Sequence, residues 1–183
     1  MKSLYTIGLT TSVSGNHSVR LRDRWMWITP SGVPRYEMRA DDLVRVDLKT
    51  GKAVAGRKPS MELNMHMRIY SSRPDINAIV HAHSPFTIGI SISSEFRQVI
   101  EEAKIVVGEL AVIANRRSGS IELAEAVSVE FKKGARAVVV KNHGVIAGGM
   151  DIHQARAIVE SLEEWAKILT VARIFGGVRD YLD

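Results

Sequence analysis

Apolar and polar positions alternate along the first quarter of the chain and later settle into a three-four rhythm, so strands come first and helices follow. Residues 18–22 and Trp25–Ile28 flank the short polar break Asp23-Arg24, which predicts a hairpin. Thr29-Pro30-Ser31-Gly32 predicts a turn, since proline fixes φ and glycine accepts a positive one. Residues 43–48 read as a third strand, closed by Lys49-Thr50-Gly51-Lys52. A helix is predicted after Pro59-Ser60. Ser60 is placed to cap its free amides, Met61, Met65 and Ile69 form one stripe, and Arg73-Pro74 ends it. Residues 78–83 predict a short buried strand. Ser84-Pro85 is a cap followed by proline at a first helical position, so a helix follows.

Further on, residues 105–107 and 112–113 read as extended pieces. Residues 120–133 predict a helix with Ile121, Ala124, Val127 and Phe131 on one face, and residues 137–141 an interior strand. The last helix spans residues 151–175. Its Ile158, Leu162, Trp165, Leu169 and Ala172 make a packing seam, and Gly176-Gly177 ends it. Interleaved strands and helices predict an α/β or α+β class around a central sheet.

Composition narrows the field. The 183 residues suit a single domain over 1–183 with one core. A hydrophobic share of 45% excludes a disordered chain. Lys and Arg exceed Asp and Glu by 25 to 20, a net charge of +5, scattered in short pairs such as Arg116-Arg117 and Lys132-Lys133. That pattern gives no stripe for a nucleic acid, but it suits a small anionic substrate. The absence of cysteine excludes disulfide scaffolds, thiolate zinc sites and cysteine nucleophiles, and fits a cytoplasmic enzyme. The first ten residues contain no long apolar run, and the least charged window, residues 76–94, carries His81, His83, Pro85 and several serines. No membrane partner is expected.

The candidate chemistry lies in the histidines. His81 and His83 are two apart in a predicted strand, so both side chains share a face. They read either as hydrogen-bonded core histidines or as ligands of a divalent metal, for which neutral imidazole is a common donor. A third ligand must come from another segment. His143 of Lys141-Asn142-His143-Gly144 ends the valine-rich strand and is the natural choice. Three histidines with an open position describe a catalytic rather than a structural metal site. His66 follows Glu62 by one helical turn and reads as a structural or supporting residue. His153 reads as exposed, and His17 as a loop residue within reach of a ligand.

Glu62, near a helix start, either compensates the helix dipole or faces the metal and moves protons. Ser14-Gly15-Asn16, Thr29-Pro30-Ser31-Gly32 and the helix start at Ser60 are ordinary turns, or they offer amides and hydroxyls to phosphate oxygens.

Five motifs then occur in order: S-G-N-x-S-V-R from Ser14, T-P-S-G from Thr29, K-P-S-x-E-x-x-x-H from Lys58, H-A-H-S-P from His81 and K-N-H-G-V from Lys141. The pattern resembles the class II aldolase/adducin family from about Gly8 to Gly177, and within it the short L-fuculose-1-phosphate aldolases. The resemblance implies an α/β/α sandwich with a mostly antiparallel central sheet flanked by helices. It implies zinc on His81, His83 and His143 (with Mn2+ or Co2+ as alternatives). Glu62 would bind the empty metal and act as acid and base, and Asn16, Ser31, Gly32 and Ser60 would hold the substrate phosphate. It further implies a phosphorylated sugar as substrate and a homotetramer with fourfold symmetry, its active sites between neighbouring subunits.

The expected reaction is zinc-dependent cleavage of a ketose 1-phosphate to dihydroxyacetone phosphate and an aldehyde through a metal-stabilised enediolate. Dehydratase, 4-epimerase and decarboxylase relatives are the alternatives. The resembling epimerases carry Asp where Glu62 stands, and adducins lack the metal histidines. Three positions depart from the aldolase pattern. Met61 replaces a second phosphate serine, the N-terminal helix is a stub, which leaves open a start further upstream, and no tyrosine lies between Phe86 and Gly119. Tyr181 in the tail is the candidate proton donor that remains.

Overall fold

The computed structural model describes residues 1–22, 24–93 and 95–182. Along the chain run α1 (Lys2–Thr6), β1 (Asn16–Leu21), β2 (Trp25–Ile28), a 3-10 turn (Ala40–Asp42), β3 (Val44–Asp47), β4 (Ala53–Ala55), α2 (Leu63–Ser72), β5 (Ala78–Ala82), α3 (Pro85–Ser93), α4 (Glu101–Val107), β6 (Leu110–Ile113), α5 (Ile121–Lys132), β7 (Ala137–Val140), β8 (Gly144–Gly149) and α6 (Ile152–Ile174). One eight-stranded sheet has the order β4-β3-β2-β1-β5-β8-β7-β6. Every neighbouring pair is antiparallel except β6 and β7, which are parallel, so the sheet is mixed.

Helices cover both faces, giving an α/β sandwich of three layers. On one face α3, α4 and α6 pack against Ala78, Val80 and Ala82 of β5, Ala137 and Val139 of β7, and Val145 and Ala147 of β8. On the other, α2 and α5 pack against Ile79 of β5, Val138 and Val140 of β7, and Ile146 of β8. The strict two-residue alternation of β5 sends His81 to the α2 side with Ile79. β5 is buried along its whole length, with β1 paired on one edge and β8 on the other.

Several expectations need correction. The predicted hairpin is present, although Asp23 lies outside the described residues. Residues 105–107, expected as extended, belong to α4. Glu101 and Glu102 favour its start, Gly108 at φ 63° ends it, and burial of Ala103 and Val107 overrides the strand preference of Ile105-Val106-Val107. The helix after Ser60 begins at Leu63, with Glu62 as its N-cap residue, and Met61 is 66% exposed rather than part of the buried stripe. Ile121 likewise points to solvent, and Leu123 takes the buried position beside Ala124, Val127 and Phe131. β8 and β4 were not expected. His17 is no loop residue but sits in β1, buried, with Asn16 and Ser18 on the opposite face.

Two caps match the sequence. Ser120 Oγ accepts from Leu123 N at 3.1 Å and Asp151 Oδ1 accepts from Gln154 N at 2.8 Å, each closing a free amide at a helix start. No helix among the described residues is long and apolar enough to cross a membrane.

Candidate active site

Three central strands bring the candidate residues together. Asn16 opens β1 and pairs in register with His81 of β5. His83 follows β5 directly, and its backbone N–H donates to Leu9 O at 3.0 Å. His143 sits in the tight turn from β7 to β8. That turn needs Asn142 at φ 61° and a bare Gly144, where an added Cβ would collide with the Ala82 carbonyl oxygen and lie 3.1 Å from His81 Cε1. The close approach of β8 to β5 is therefore what delivers His143 to the other two imidazoles.

The three rings meet with centroids 4.9 Å (His81–His83), 4.9 Å (His81–His143) and 5.2 Å (His83–His143) apart, and one ligand atom from each lies within 4.8 Å of the others. His81 Nδ1–H donates to Val145 O at 2.9 Å, which turns its Nε2 toward the other candidate ligands. That Nε2 lies 3.1 Å from His83 Nε2 and 3.4 Å from Glu62 Oε2. Glu62 Oε1 lies 3.5 Å from His143 Nε2 and is buried without a hydrogen-bond partner. Burial, followed by the neighbouring His81, lowers the pKa of His83 to about 3, and the same causes lower that of His143, so these rings are neutral. Imidazole nitrogens and a carboxylate that converge in a buried spot are well placed to share one cation. The donor set of three imidazoles and a carboxylate suits Zn2+, Mn2+ or Co2+ and fits a metal site.

Glu62 makes no hydrogen bond to the amides of α2, so dipole compensation is not its main engagement. Burial pushes its carboxyl up, but the electrostatic pull of its surroundings, His81 first, and the Asn16 amide outweigh that and hold it below the usual range. It is therefore ionised at neutral pH.

A second set of bonds fixes Glu62 from behind. Asn16 Nδ2 donates to Glu62 Oε2 at 3.4 Å. Asn16 Oδ1 then accepts from His66 Nε2–H at 2.6 Å, which makes His66 Nδ1 an acceptor for the Ser18 hydroxyl, also at 2.6 Å. Ser18 Oγ in turn accepts from the Tyr70 hydroxyl at 2.8 Å. Every donor meets an acceptor only if His66 is neutral, and burial lowers its pKa to about 3. The burial of Tyr70 raises its own pKa, which keeps its proton in place.

The expected metal and phosphate residues line one cavity of about 140 Å³: Asn16, Ser31, Gly32, Ser60, Glu62, His81, His83 and His143. Ser60 does not cap α2 in the expected way. Its Oγ accepts from Glu62 N at 3.2 Å, which leaves the hydroxyl hydrogen free to donate to an anion. Its segment is tied to the turn by Ser31 N to Lys58 O at 3.0 Å and Ser60 N to Thr29 O at 3.2 Å. Gly32, at φ 75°, has open space where a side chain would stand. Asn16 spends its amide on His66 and Glu62, at the metal side of the cavity rather than alone at an anion position. Tyr181 is away from the cavity. Arg97 lies over its ring at 3.9 Å, and Leu182 N donates to Gln98 O at 3.0 Å, so the tail is anchored on this chain.

Val13, Ser118 and Arg35 line the cavity and escaped the sequence reading. Ser118 Oγ is 3.5 Å from His143 Nε2, and Arg35 is 4% exposed. Ser118 sits between Arg117 and Gly119 in a segment with no periodicity to mark it.

Fold and donor set together define a metal-site enzyme of the α/β class. The Class II Aldolase and Adducin N-terminal domain family matches residues 1–170, and the chain belongs to that family. The L-fuculose phosphate aldolase of Methanocaldococcus jannaschii is 35% identical over 168 residues, covering 91% of this chain and 90% of that protein. A 3-oxo-tetronate 4-phosphate decarboxylase of Haemophilus influenzae is 34% identical over 173 residues, covering 91% and 81%. A solved L-fuculose 1-phosphate aldolase superposes with a TM-score of 0.85 at 34% identity, over 100% of this chain and 86% of that one.

Proposed function

We propose that this chain is a zinc-dependent aldolase that cleaves a ketose 1-phosphate of the L-fuculose 1-phosphate type to dihydroxyacetone phosphate and an aldehyde. One observation carries the reading: the imidazoles of His81, His83 and His143 and the carboxylate of Glu62 converge in a cavity rimmed by Ser31, Gly32 and Ser60. His81, His83 and His143 would hold the metal, with Glu62 as a ligand only until substrate takes its place. Bound there, the ion supplies Lewis acidity at the substrate carbonyl, where negative charge develops as the C3–C4 bond breaks.

The protein's own groups do the rest. Glu62 shuttles the proton at C3 of the three-carbon half, returning it in cleavage and taking it in condensation. Asn16 and His66 hold that carboxylate in one orientation. The Ser60 hydroxyl and the amides around Ser31 and Gly32 grip the phosphate and keep the reacting carbon in register. We further propose a cytoplasmic homotetramer with sites between subunits, and no nucleic-acid or membrane partner. Exposed Ile174 (75%) and Phe175 (80%) at the end of α6 support an apolar contact surface.

The test is release of dihydroxyacetone phosphate from L-fuculose 1-phosphate by the zinc-loaded protein, compared with His83→Ala. Activity lost in the variant supports the reading, and full activity in it refutes the metal role. The similarity to a decarboxylase, together with the thioether of Met61 lining the cavity, favours a second reading in which the same site decarboxylates a phosphorylated oxo acid. Product analysis by mass spectrometry across ketose phosphates and oxo acids separates the two.

A further inference from the structure

Arg35 is among the most completely engaged side chains of the protein. Its guanidinium has five N–H bonds, and five backbone carbonyls receive them. Nε donates to Ser14 O at 3.1 Å, and Nη2 to Val13 O at 3.0 Å and Gly15 O at 2.8 Å. Nη1 donates to Pro30 O at 3.3 Å and Val33 O at 3.2 Å. The first three carbonyls belong to the loop that leads into Asn16. The other two flank Ser31 and Gly32. Its own backbone N–H adds a bond to Ser12 O at 2.7 Å.

No carboxylate among the described residues forms an ion pair with this guanidinium. A buried cation is ordinarily paired with an acid, because desolvation is severe. Here neutral carbonyls solvate it and its charge is not cancelled. That charge lines the cavity that holds Ser31, Gly32 and Ser60.

We infer that Arg35 is the positioning residue of the anion pocket, joining the two small-residue loops in one geometry and setting an uncancelled positive charge behind them for a phosphate dianion. The inference rests on the proposed phosphate-bearing substrate. With every N–H already spent, the guanidinium acts through the loops and through its field rather than by touching the anion. Lysine cannot replace it, since an ammonium has three donors and no planar fork.

The experiment uses inorganic phosphate as the probe on the zinc-loaded, full-length protein. The dissociation constant is measured for wild type, Arg35→Lys and Arg35→Gln, with bound zinc counted in each. Wild type binds phosphate. Arg35→Lys, which keeps the charge, weakens binding by about tenfold, and Arg35→Gln by about a hundredfold. Zinc stoichiometry stays unchanged, and KM for the ketose phosphate rises more than kcat falls.

Equal phosphate affinity in wild type and Arg35→Gln overturns the inference. So does loss of zinc in parallel with phosphate in both variants, which would make Arg35 a residue of general stability. A wild type that binds neither phosphate nor ketose phosphate instead strikes the functional reading on which the inference stands.

Discussion

His66 and Asn16 are joined by a 2.6 Å hydrogen bond whose direction is set on both sides, by the Ser18 hydroxyl behind the imidazole and by Glu62 beyond the amide. The pairing turns a fully buried histidine into the support of a carboxylate it does not touch. His66→Phe fills similar space but leaves Asn16 Oδ1 without its donor and Ser18 with only its Tyr70 partner, so Glu62 loses its fixed orientation. We expect kcat to fall by about ten- to a hundredfold, with bound metal retained. Steady-state kinetics together with metal analysis checks this.

Acid should destabilise the protein through the same network. His66 and His17 are both buried, and burial lowers the pKa of His66 to about 3 and that of His17 well below its usual value. The unfolded chain therefore binds protons that the fold refuses. Stability is full above the unfolded pKa near 6.5 and declines as pH falls from there toward 3. The limiting slope is roughly 1.4 kcal/mol per pH unit for each histidine. Denaturant midpoints between pH 7.5 and 5 should fall for wild type and fall less steeply for His66→Phe.

Metal should raise stability by mass action. His81 Nε2 lies 3.1 Å from His83 Nε2 and 3.4 Å from Glu62 Oε2, so one cation shared by these groups would bind the folded chain only. Saturating zinc at about a hundred times its dissociation constant adds roughly 2.7 kcal/mol. Calorimetry with zinc and with a chelator should show the melting temperature shifting up and down accordingly, and His81→Ala should abolish the shift.

Gly144→Ala is expected to damage both stability and metal binding. The new methyl would collide with the Ala82 carbonyl and press on His81 Cε1 and His83 Cδ2, at 3.1 and 3.2 Å. Overpacking of this kind costs about 1–3 kcal/mol. Zinc titration of the variant should show weaker binding even under conditions where it remains folded.

Local pattern made much of this legible. Alternation marked β1 and β3, short apolar runs marked β2, β5 and β7, and the His-Ala-His spacing put two imidazoles on one face because a strand has a period of two. β8 stayed hidden because Gly-Val-Ile-Ala-Gly-Gly reads as a loop. Its glycines are there for packing: a Cβ on Gly148 would lie 2.6 Å from Ile76 Cδ1, and one on Gly149 would lie 2.7 Å from Ala155 N. The mistaken strand at 105–107 had the opposite cause, a β-branched run recruited into a helix by burial against α6. Arg35 left no signal because its partners are carbonyls, which every residue carries. Glu62 was noticed, but only the fold shows that its carboxylate turns away from α2.

The bond from His81 to Val145 spans 64 residues of chain, and the one from Asn16 to Glu62 spans 46. Contacts of such range form late, after loop closure has brought distant strands side by side. An emerging nascent chain consequently has no place to trap a stray cation until β8 has docked. An ion held by His81, His83 and His143 would act as a rivet between β5 and the β7–β8 turn, so that pulling these apart would mean extracting the metal as well.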